Sequence, residues 1–418
     1  MVLDLAAWLG RLEQLHPSAI DLGLARCGEV AQRLDLVDTG VTTIAVAGTN
    51  GKGSTVAVME AILCARGESV GAFTSPHLVR YNERIRVEGA EVSDALIVEA
   101  FEAIEEARSE ISLTYFEFNT LAALWVFKRL DVAFQLLEVG LGGRLDAVNI
   151  VDADVAVVTA IGLDHQEWLG PDVETIAIEK CGIARDARAC VVADSAAPVS
   201  VSTELQRIGA CEVRALRDYA FGDTYFESLK AGSIAWSLPA GILPLNAAAG
   251  LRALEAAGVG FTEELVAEGM KRIVLKGRQE SFRLGNIDIV LDVAHNPDAA
   301  VELRKFLDRK TAAKRTTAIF AVMSDKDCRD MIAAVEPVID EWYLPSGIGG
   351  ARGQSPEVVL RFISGMAHVT STFESAFEGA IGSLADGGRL IIFGSFFTVG
   401  EGMKALNSVR LSPPDGQS

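Results

Sequence analysis

Val41 to Thr55 reads VTTIAVAGTNGKGST. Its first part, Thr42 to Ala47, is an apolar run rich in β-branched residues that stops at Gly48. Gly48, Gly51 and Gly53 then bracket Lys52, and Ser54-Thr55 opens an amphipathic segment, VAVMEAILCARG, that ends at Gly67. The pattern predicts a strand, a phosphate loop and a helix in succession. Glycines let backbone N–H groups curl round a phosphate, and the helix N-terminus adds partial positive charge. Lys52 supplies a full charge, and the hydroxyls can reach Mg²⁺. These residue types at this spacing suit a nucleotide triphosphate.

The spacing is not that of the common loop, G-x-x-x-x-G-K-[ST]. Here the lysine comes four residues after Gly48, and Gly53 intervenes before the hydroxyl, which points away from motor and switch GTPases. A glycine-rich strand-to-helix turn can also serve packing alone. The lysine and two hydroxyls argue for phosphate.

The rest of the composition narrows the function class. In 418 residues, 50% are hydrophobic and 23% charged, enough for two globular domains. No run approaches the ~18 unbroken apolar residues of a membrane helix, and MVLDLAAWLGRLEQLHP does not read as a signal peptide. A cytoplasmic protein with no membrane partner is expected. Six scattered cysteines without a C-x-x-C pair fit reduced, buried thiols. A net charge of −19 argues against nucleic acid. An anionic substrate must then meet locally concentrated cations, for which Lys52, Arg84, Arg86, Arg144, Arg278 and Lys326 are candidates.

Along the chain, Leu3–Leu15 and Ile20–Leu36 read as amphipathic helices, and Ser69–Thr74 as a second strand broken by Ser75-Pro76-His77. NERIRV with Glu88-Gly89-Ala90 reads as a polar, irregular stretch. Helices are expected from Ser93 to about Glu110 and from Thr114 to Arg129. Ala133–Val139 and Val155–Ile161 are near-continuous apolar runs, the mark of parallel strands covered on both faces. Ligands of open α/β sheets bind beyond the carboxyl ends of such strands. Glu138 and the Gly140–Asp146 segment stand at one such end, and Asp164-His165 at another. A helix over Pro171–Cys181, a strand over Cys190–Ala193, antiparallel strands between Glu212 and Pro239, and a helix over Asn246–Ala257 follow.

A boundary is expected near Leu275–Gly285, where LKGRQESFRLGN reads as polar and turn-like. Beyond it strands and helices alternate: Ile287–Val293, Ala299–Leu307, Thr317–Val322, Asp330–Ile339, Trp342–Leu344, Pro356–Phe362 and Arg389–Phe393. The fold class is therefore α/β: a parallel-sheet ATPase domain with a phosphate loop, residues 1–280, then a smaller Rossmann-like α/β domain, residues 281–418. LSPPDGQS at the C-terminus reads as a frayed tail.

On residue types alone several positions stay open. Glu138 suits a metal or a metal-bound water, or equally a helix cap or a partner for Arg144. His165 is either a site residue or an ordinary hydrogen-bonded histidine. Lys180, near a helix C-terminus, has a favourable dipole contact as its plainest use. Asp292-x-x-His295-Asn296-Pro297 is either an Asx/Pro turn or an acid and an imidazole at a strand end.

GTNGKGST, TSPHL with NERIRV, LEVGLGGRLDAVN, GLDH, IEKCGI, GRQE, DVAHNP and FGSFFTVGE occur in this order and together resemble the Mur ligase superfamily. Within it they resemble the dihydrofolate synthase/folylpolyglutamate synthase branch. The resemblance runs from about Ile20 to Gly400. It implies an amide ligase in which the γ-phosphoryl of ATP activates a carboxylate and the amine of L-glutamate attacks the acyl phosphate. The carboxylate substrate would be dihydropteroate or a reduced folate.

Residue by residue, the resemblance implies that Thr49, Asn50, Gly51, Lys52, Gly53 and Ser54 cradle ATP, and that Ser75, Glu138 and His165 hold Mg²⁺. A monovalent cation stays open as a further cofactor. Lys180 matches a lysine that the family carbamylates, and Lys52, Lys180 and His165 are the implied catalytic residues. Asn246, Arg278, Asp292 and His295 would reach the nucleotide from across a domain cleft. Asp21, Leu22 and Gly23, Thr114, Tyr115, Phe116 and Glu117, and Arg144, Leu145 and Asp146 match pteroate-binding segments of bifunctional members. Family members are commonly monomeric, and small molecules are the implied partners. The competing readings are the polyglutamylating activity alone, or a Mur-type ligase with another carboxylate substrate. A cell-wall Mur ligase would usually carry a UDP-binding domain ahead of the loop, where only about 40 residues stand.

Overall fold

Parallel strands dominate the computed structural model, which describes residues 3–16, 18, 20–38, 40–384 and 388–408. The frayed tail expected from LSPPDGQS lies outside the described residues. The chain forms two compact units: residues 1–77 with 81–274, and residues 78–80 with 275–418. Among the described residues no helix is long and apolar enough to cross a membrane.

The first unit is built on an eight-stranded sheet. Its strands are β1 (Thr42–Ala47), β2 (Val70–Phe73), β3 (Ile85–Val87), β4 (Ala90–Glu91), β5 (Phe134–Glu138), β6 (Val155–Val158), β7 (Ala189–Val192) and β8 (Cys211–Arg214), in the order β4-β3-β2-β5-β1-β6-β7-β8. From β2 through β8 the neighbours run parallel, with Ile44 facing Leu136 on one side and Val155 on the other. β1, β2, β5 and β6 are buried almost throughout, as their unbroken apolar runs require. Three further strands, β9 (Tyr219–Gly222), β10 (Tyr225–Ser228) and β11 (Gly232–Ala235), make a separate antiparallel sheet.

Two expectations need correction in this unit. NERIRV is not irregular: Tyr81–Arg84 forms a 3₁₀ turn, β3 extends the sheet antiparallel to β2, and β4 pairs antiparallel with β3. Ile85 and Val87 alternate with Arg86 at the period of a strand, and Glu88-Gly89, both at positive φ, supply the hairpin turn. The antiparallel region expected from Glu212 begins instead with β8, a parallel edge strand on β7.

Helix Tyr115–Arg129 packs over β2, and at Gly71 the ring of Phe127 lies 2.3 Å from where a Cβ would stand. Gly71→Ala should therefore destabilise the protein by about 1–3 kcal/mol through overpacking. Urea denaturation followed by circular dichroism measures this, and an unchanged midpoint would show that Phe127 moves aside freely.

The second unit holds a six-stranded sheet: β12 (Glu280–Leu284), β13 (Ile287–Asp292), β14 (Thr316–Phe320), β15 (Glu341–Pro345), β16 (Met366–Thr370) and β17 (Arg389–Phe393), ordered β12-β13-β17-β14-β15-β16. All pairs are parallel except β12 with β13. β12 occupies the stretch expected to be a polar turn. It pairs with β13 across Gly285 at φ +57, and it stands at the sheet edge, where Ser281 and Arg283 are tolerated. FGSFFTVGE spans the end of β17 and the start of the helix Phe396–Ser408, and β16 and the helix Phe373–Ser383 stand where the sequence reading placed no element.

Candidate active site

The carboxyl ends of β2, β5, β1 and β6 stand side by side, and each delivers part of the candidate site. Beyond β1, Gly51 takes φ +96, a left-handed conformation that favours glycine, and Lys52 begins the helix Lys52–Arg66. A side chain at Gly51 would also meet the Asn246 amide, whose Oδ1 lies 2.4 Å from a Cβ position there. Asn246 sits in the first turn of helix Pro244–Ala256, and its Oδ1 is a buried acceptor without a donor. Asn246 belongs to the first unit with the phosphate loop, so it does not reach a nucleotide from the other domain as expected.

Within the loop the Lys52 ammonium donates to the carbonyls of Gly48 (3.0 Å) and Thr49 (3.3 Å). Thr49 is committed to the segment after β6. Its N–H donates to Ala160 O at 2.7 Å, and its hydroxyl donates to Gly162 O and accepts from Gly162 N. Its side chain thus fastens the loop. Asn50 bridges to Ala160, Ser54 is buried, and the Thr55 hydroxyl turns back to Gly51 O at 3.0 Å.

Glu138, the last residue of β5, is buried, and its Oε2 accepts from the Ser75 N–H at 3.1 Å. The same oxygen lies 3.5 Å from a Cβ position on Gly53, so the carboxylate borders the phosphate loop. Among the described residues no three His, Cys, Asp or Glu side chains gather as a metal cluster. A hard cation that keeps its waters and takes phosphate oxygens needs only one or two protein carboxylates. The buried Glu138 beside Ser75 and the loop fits Mg²⁺ on that ground. His165 stands in left-handed backbone at φ 50 ahead of helix Gln166–Leu169, with Nε2 3.9 Å from Asp164 Oδ2.

Lys180, in the last turn of helix Val173–Cys181, is buried, and its pKa is drawn down to about 7. Burial is the main cause and the Lys52 ammonium the next, while Asp164 and Asp146 pull the other way. The same interactions place Lys52, Asp146, Asp164 and Lys180 in one neighbourhood. Asp146 folds the loop after β5 onto itself: Gly140 N, Leu141 N and Val148 N all donate to its carboxylate. Burial pushes its pKa up to about 6 against those bonds and Lys52. Arg144 is half exposed and paired with Glu179 at 2.7 Å, and Leu145 is half-buried.

The segments expected to bind pteroate meet through Arg26, a residue the sequence reading missed. One nitrogen, Nη1, pairs with Asp21 Oδ2 at 2.8 Å, and Nη2 donates to Asp21 O and to Glu117 Oε1 at 3.1 Å. Leu22 and Gly23 lie between them in half-buried coil ahead of helix Ala25–Arg33. Thr114 and Glu117 cap their helix reciprocally, Thr114 Oγ1 accepting from Glu117 N and Glu117 Oε2 from Thr114 N. Phe116 abuts Gly140, where a Cβ would come within 2.5 Å of its ring tip. Tyr115 faces the Arg84 guanidinium, and Arg84 Nε donates to His77 Nδ1 at 2.8 Å. Burial and that guanidinium push His77 down to about 4, so it is neutral at pH 7.

In the second unit Asp292 ends β13 and accepts from Gln279 N at 2.9 Å and Ala294 N at 2.7 Å. Burial raises its pKa to about 6 in spite of Arg278 beside it. His295 Nδ1–H donates to Val293 O at 2.9 Å, and its ring centroid lies 5.7 Å from that of Phe396. Arg278, Asp292 and His295 thus form one group at the carboxyl end of β13.

Comparison with known proteins places this geometry. The family model described as "Mur ligase, glutamate ligase domain" matches residues 277–396. The dihydrofolate synthase/folylpolyglutamate synthase of Escherichia coli (strain K12) is 40% identical over 420 residues, covering 97% of this chain and 96% of that protein. The structure of E. coli FolC in complex with DHPP and ADP superposes with a TM-score of 0.93 at 39% identity, covering 98% of this chain and 99% of that one. A bifunctional folylpolyglutamate synthase/dihydrofolate synthase with Mn, AMPPNP and L-glutamate bound gives a TM-score of 0.90 at 39% identity, covering 97% of this chain and 98% of that one. With strand-end geometry, motif order and near-complete coverage in agreement, this chain belongs to the dihydrofolate synthase/folylpolyglutamate synthase family of Mur ligases.

Proposed function

We propose that this protein is an ATP-dependent ligase that joins L-glutamate to dihydropteroate and adds glutamate to reduced folates through an acyl phosphate. The observation that carries the reading is the grouping of Lys52, Glu138, Asp146, Asp164 and Lys180 around one phosphate loop at adjacent strand ends. In this reading the loop from Asn50 to Ser54 holds the triphosphate, and Lys52 leaves its carbonyl contacts to neutralise charge on the phosphoryl group in transfer. Asn246 offers its free Oδ1 to a donor on the nucleotide, and Arg278, Asp292 and His295 supply further nucleotide contacts from their own unit.

Ser75, Glu138 and His165 would hold Mg²⁺, which when bound screens the phosphate charge and aligns the oxygens for displacement. Asp21, Glu117 and Phe116, ordered by Arg26 and Gly140, form the pteroate side. A substrate carboxylate oxygen attacks the γ-phosphorus and ADP departs. The glutamate amine then attacks the acyl carbon, phosphate leaves, and the amine proton passes to solvent.

Lys180 is proposed to be carbamylated. Its neutral amine attacks CO₂, an N–C bond forms and a proton is released, which turns a buried amine into a carboxylate beside Lys52. The lowered pKa supports this, because the neutral amine is the reactive form.

The test is phosphate release from Mg-ATP by purified protein, with and without L-glutamate, offering dihydropteroate and tetrahydrofolate in parallel. Release that requires glutamate and occurs with both substrates is expected. Release with tetrahydrofolate alone would restrict the enzyme to polyglutamylation, and release with neither would contradict the assignment.

A further inference from the structure

Arg84 closes the 3₁₀ turn Tyr81–Arg84, and its carbonyl accepts from Thr74 N at 2.9 Å, just past the carboxyl end of β2. Only 8% of its surface is exposed. A guanidinium so buried is costly unless a counter-charge meets it. Two residues on, Arg86 shows the ordinary solution, with Nη2 and Nε on the Glu60 carboxylate at 2.7 and 3.1 Å. Arg84 has no such partner: no carboxylate among the described residues lies within ion-pairing distance of it.

What surrounds Arg84 orients the charge without neutralising it. Nε donates to the neutral His77, and the guanidinium carbon lies 5.7 Å from the Tyr115 ring centroid and 6.0 Å from that of Tyr81. The Tyr81 hydroxyl donates to Asn119 Oδ1 at 2.9 Å, which fixes the ring. The terminal nitrogens of Arg84 are not among the enclosed, unsatisfied atoms, so they keep an opening to solvent. The cluster also adjoins the site already described. Ser75, two residues before His77, donates to Glu138, and Tyr115 begins the helix whose Phe116 covers Gly140.

We propose that Arg84 is a specificity-determining residue that receives the carboxylate of the pteroate-side substrate and holds it beside Glu138 for phosphorylation. The proposal rests on the ligase reading above. In a chain of net charge −19, an anion needs a local cation of this kind. The half-buried Tyr115 ring favours this carboxylate over that of glutamate, because an aryl carboxylate brings a flat apolar ring to lie against it and glutamate does not.

The test measures binding of dihydropteroate, and of its analogue lacking the benzoate carboxylate, to wild type, Arg84→Met and Arg84→Lys by calorimetry, alongside steady-state KM values. Arg84→Met should weaken dihydropteroate about 10- to 100-fold, the loss expected for charged hydrogen bonds, and leave the analogue and the KM for ATP unchanged. Arg84→Lys should fall between, because a point charge replaces a fork. The Tm of Arg84→Met should hold or rise, since an uncompensated buried charge is removed. Equal weakening of both ligands, a rise confined to the KM for glutamate, or a fall in Tm without a change in binding would each overturn the proposal. Failure of the wild type to bind either ligand would contradict the ligase reading itself, a result separate from any difference between wild type and variant.

Discussion

Lys52→Ala is expected to lower glutamate-dependent turnover by about 10²- to 10³-fold while leaving the fold intact. The size follows from removing a preorganised charge from the phosphoryl group in transfer, where a single donor is commonly worth 10²–10³. The fold should survive because the ammonium's bonds to the Gly48 and Thr49 carbonyls lie within the loop itself. Loss of the charge would also relieve Lys180, whose neutral form Lys52 favours. Turnover assays and thermal unfolding on the same preparation check both halves. Wild-type-like turnover would remove Lys52 from the mechanism.

Lys180→Ala should be nearly as damaging, and added bicarbonate should not restore it. Short carboxylic acids should restore part of the activity if the missing group is a carboxylate. In the wild type, intact-protein mass spectrometry under CO₂ should show an added carboxyl on Lys180 that increases as pH rises through about 7, where the amine becomes neutral. Linkage gives a second readout with CO₂ excluded. Below about 7 the amine is protonated in both folded and unfolded chains. Between there and the ordinary lysine value of about 10.4 the unfolded chain holds a proton that the folded one has lost, so Lys180 makes stability rise with pH across that window. Lys180→Met should flatten that slope. An unmodified, fully active Lys180 would count against carbamylation.

The site was legible where chemistry demands rare residue patterns. The glycines around Lys52 announce a phosphate loop because few other uses combine them with a lysine and hydroxyls. The apolar runs ending at Glu138 and Asp164 mark buried parallel strands, and the strand-end rule then points to the residues that follow. Less legible were groups whose role depends on partners far along the chain. Arg26 looks like any helix-start cation until Asp21 and Glu117 converge on it, and Thr49 resembles a phosphate ligand until Gly162 takes its hydroxyl. Edge strands hid for another reason. β12 and β16 cover one neighbour each and keep polar side chains, so their patterns read as loop.

The central claim is that a substrate carboxylate is activated by the γ-phosphoryl group before the amine attacks. Dihydropteroate labelled with ¹⁸O in its carboxylate tests this most directly, with turnover in Mg-ATP and L-glutamate followed by mass spectrometry of the released phosphate. One ¹⁸O should appear in inorganic phosphate for each glutamyl product formed. Label found in AMP, or phosphate free of label while product accumulates, would contradict the acyl-phosphate route.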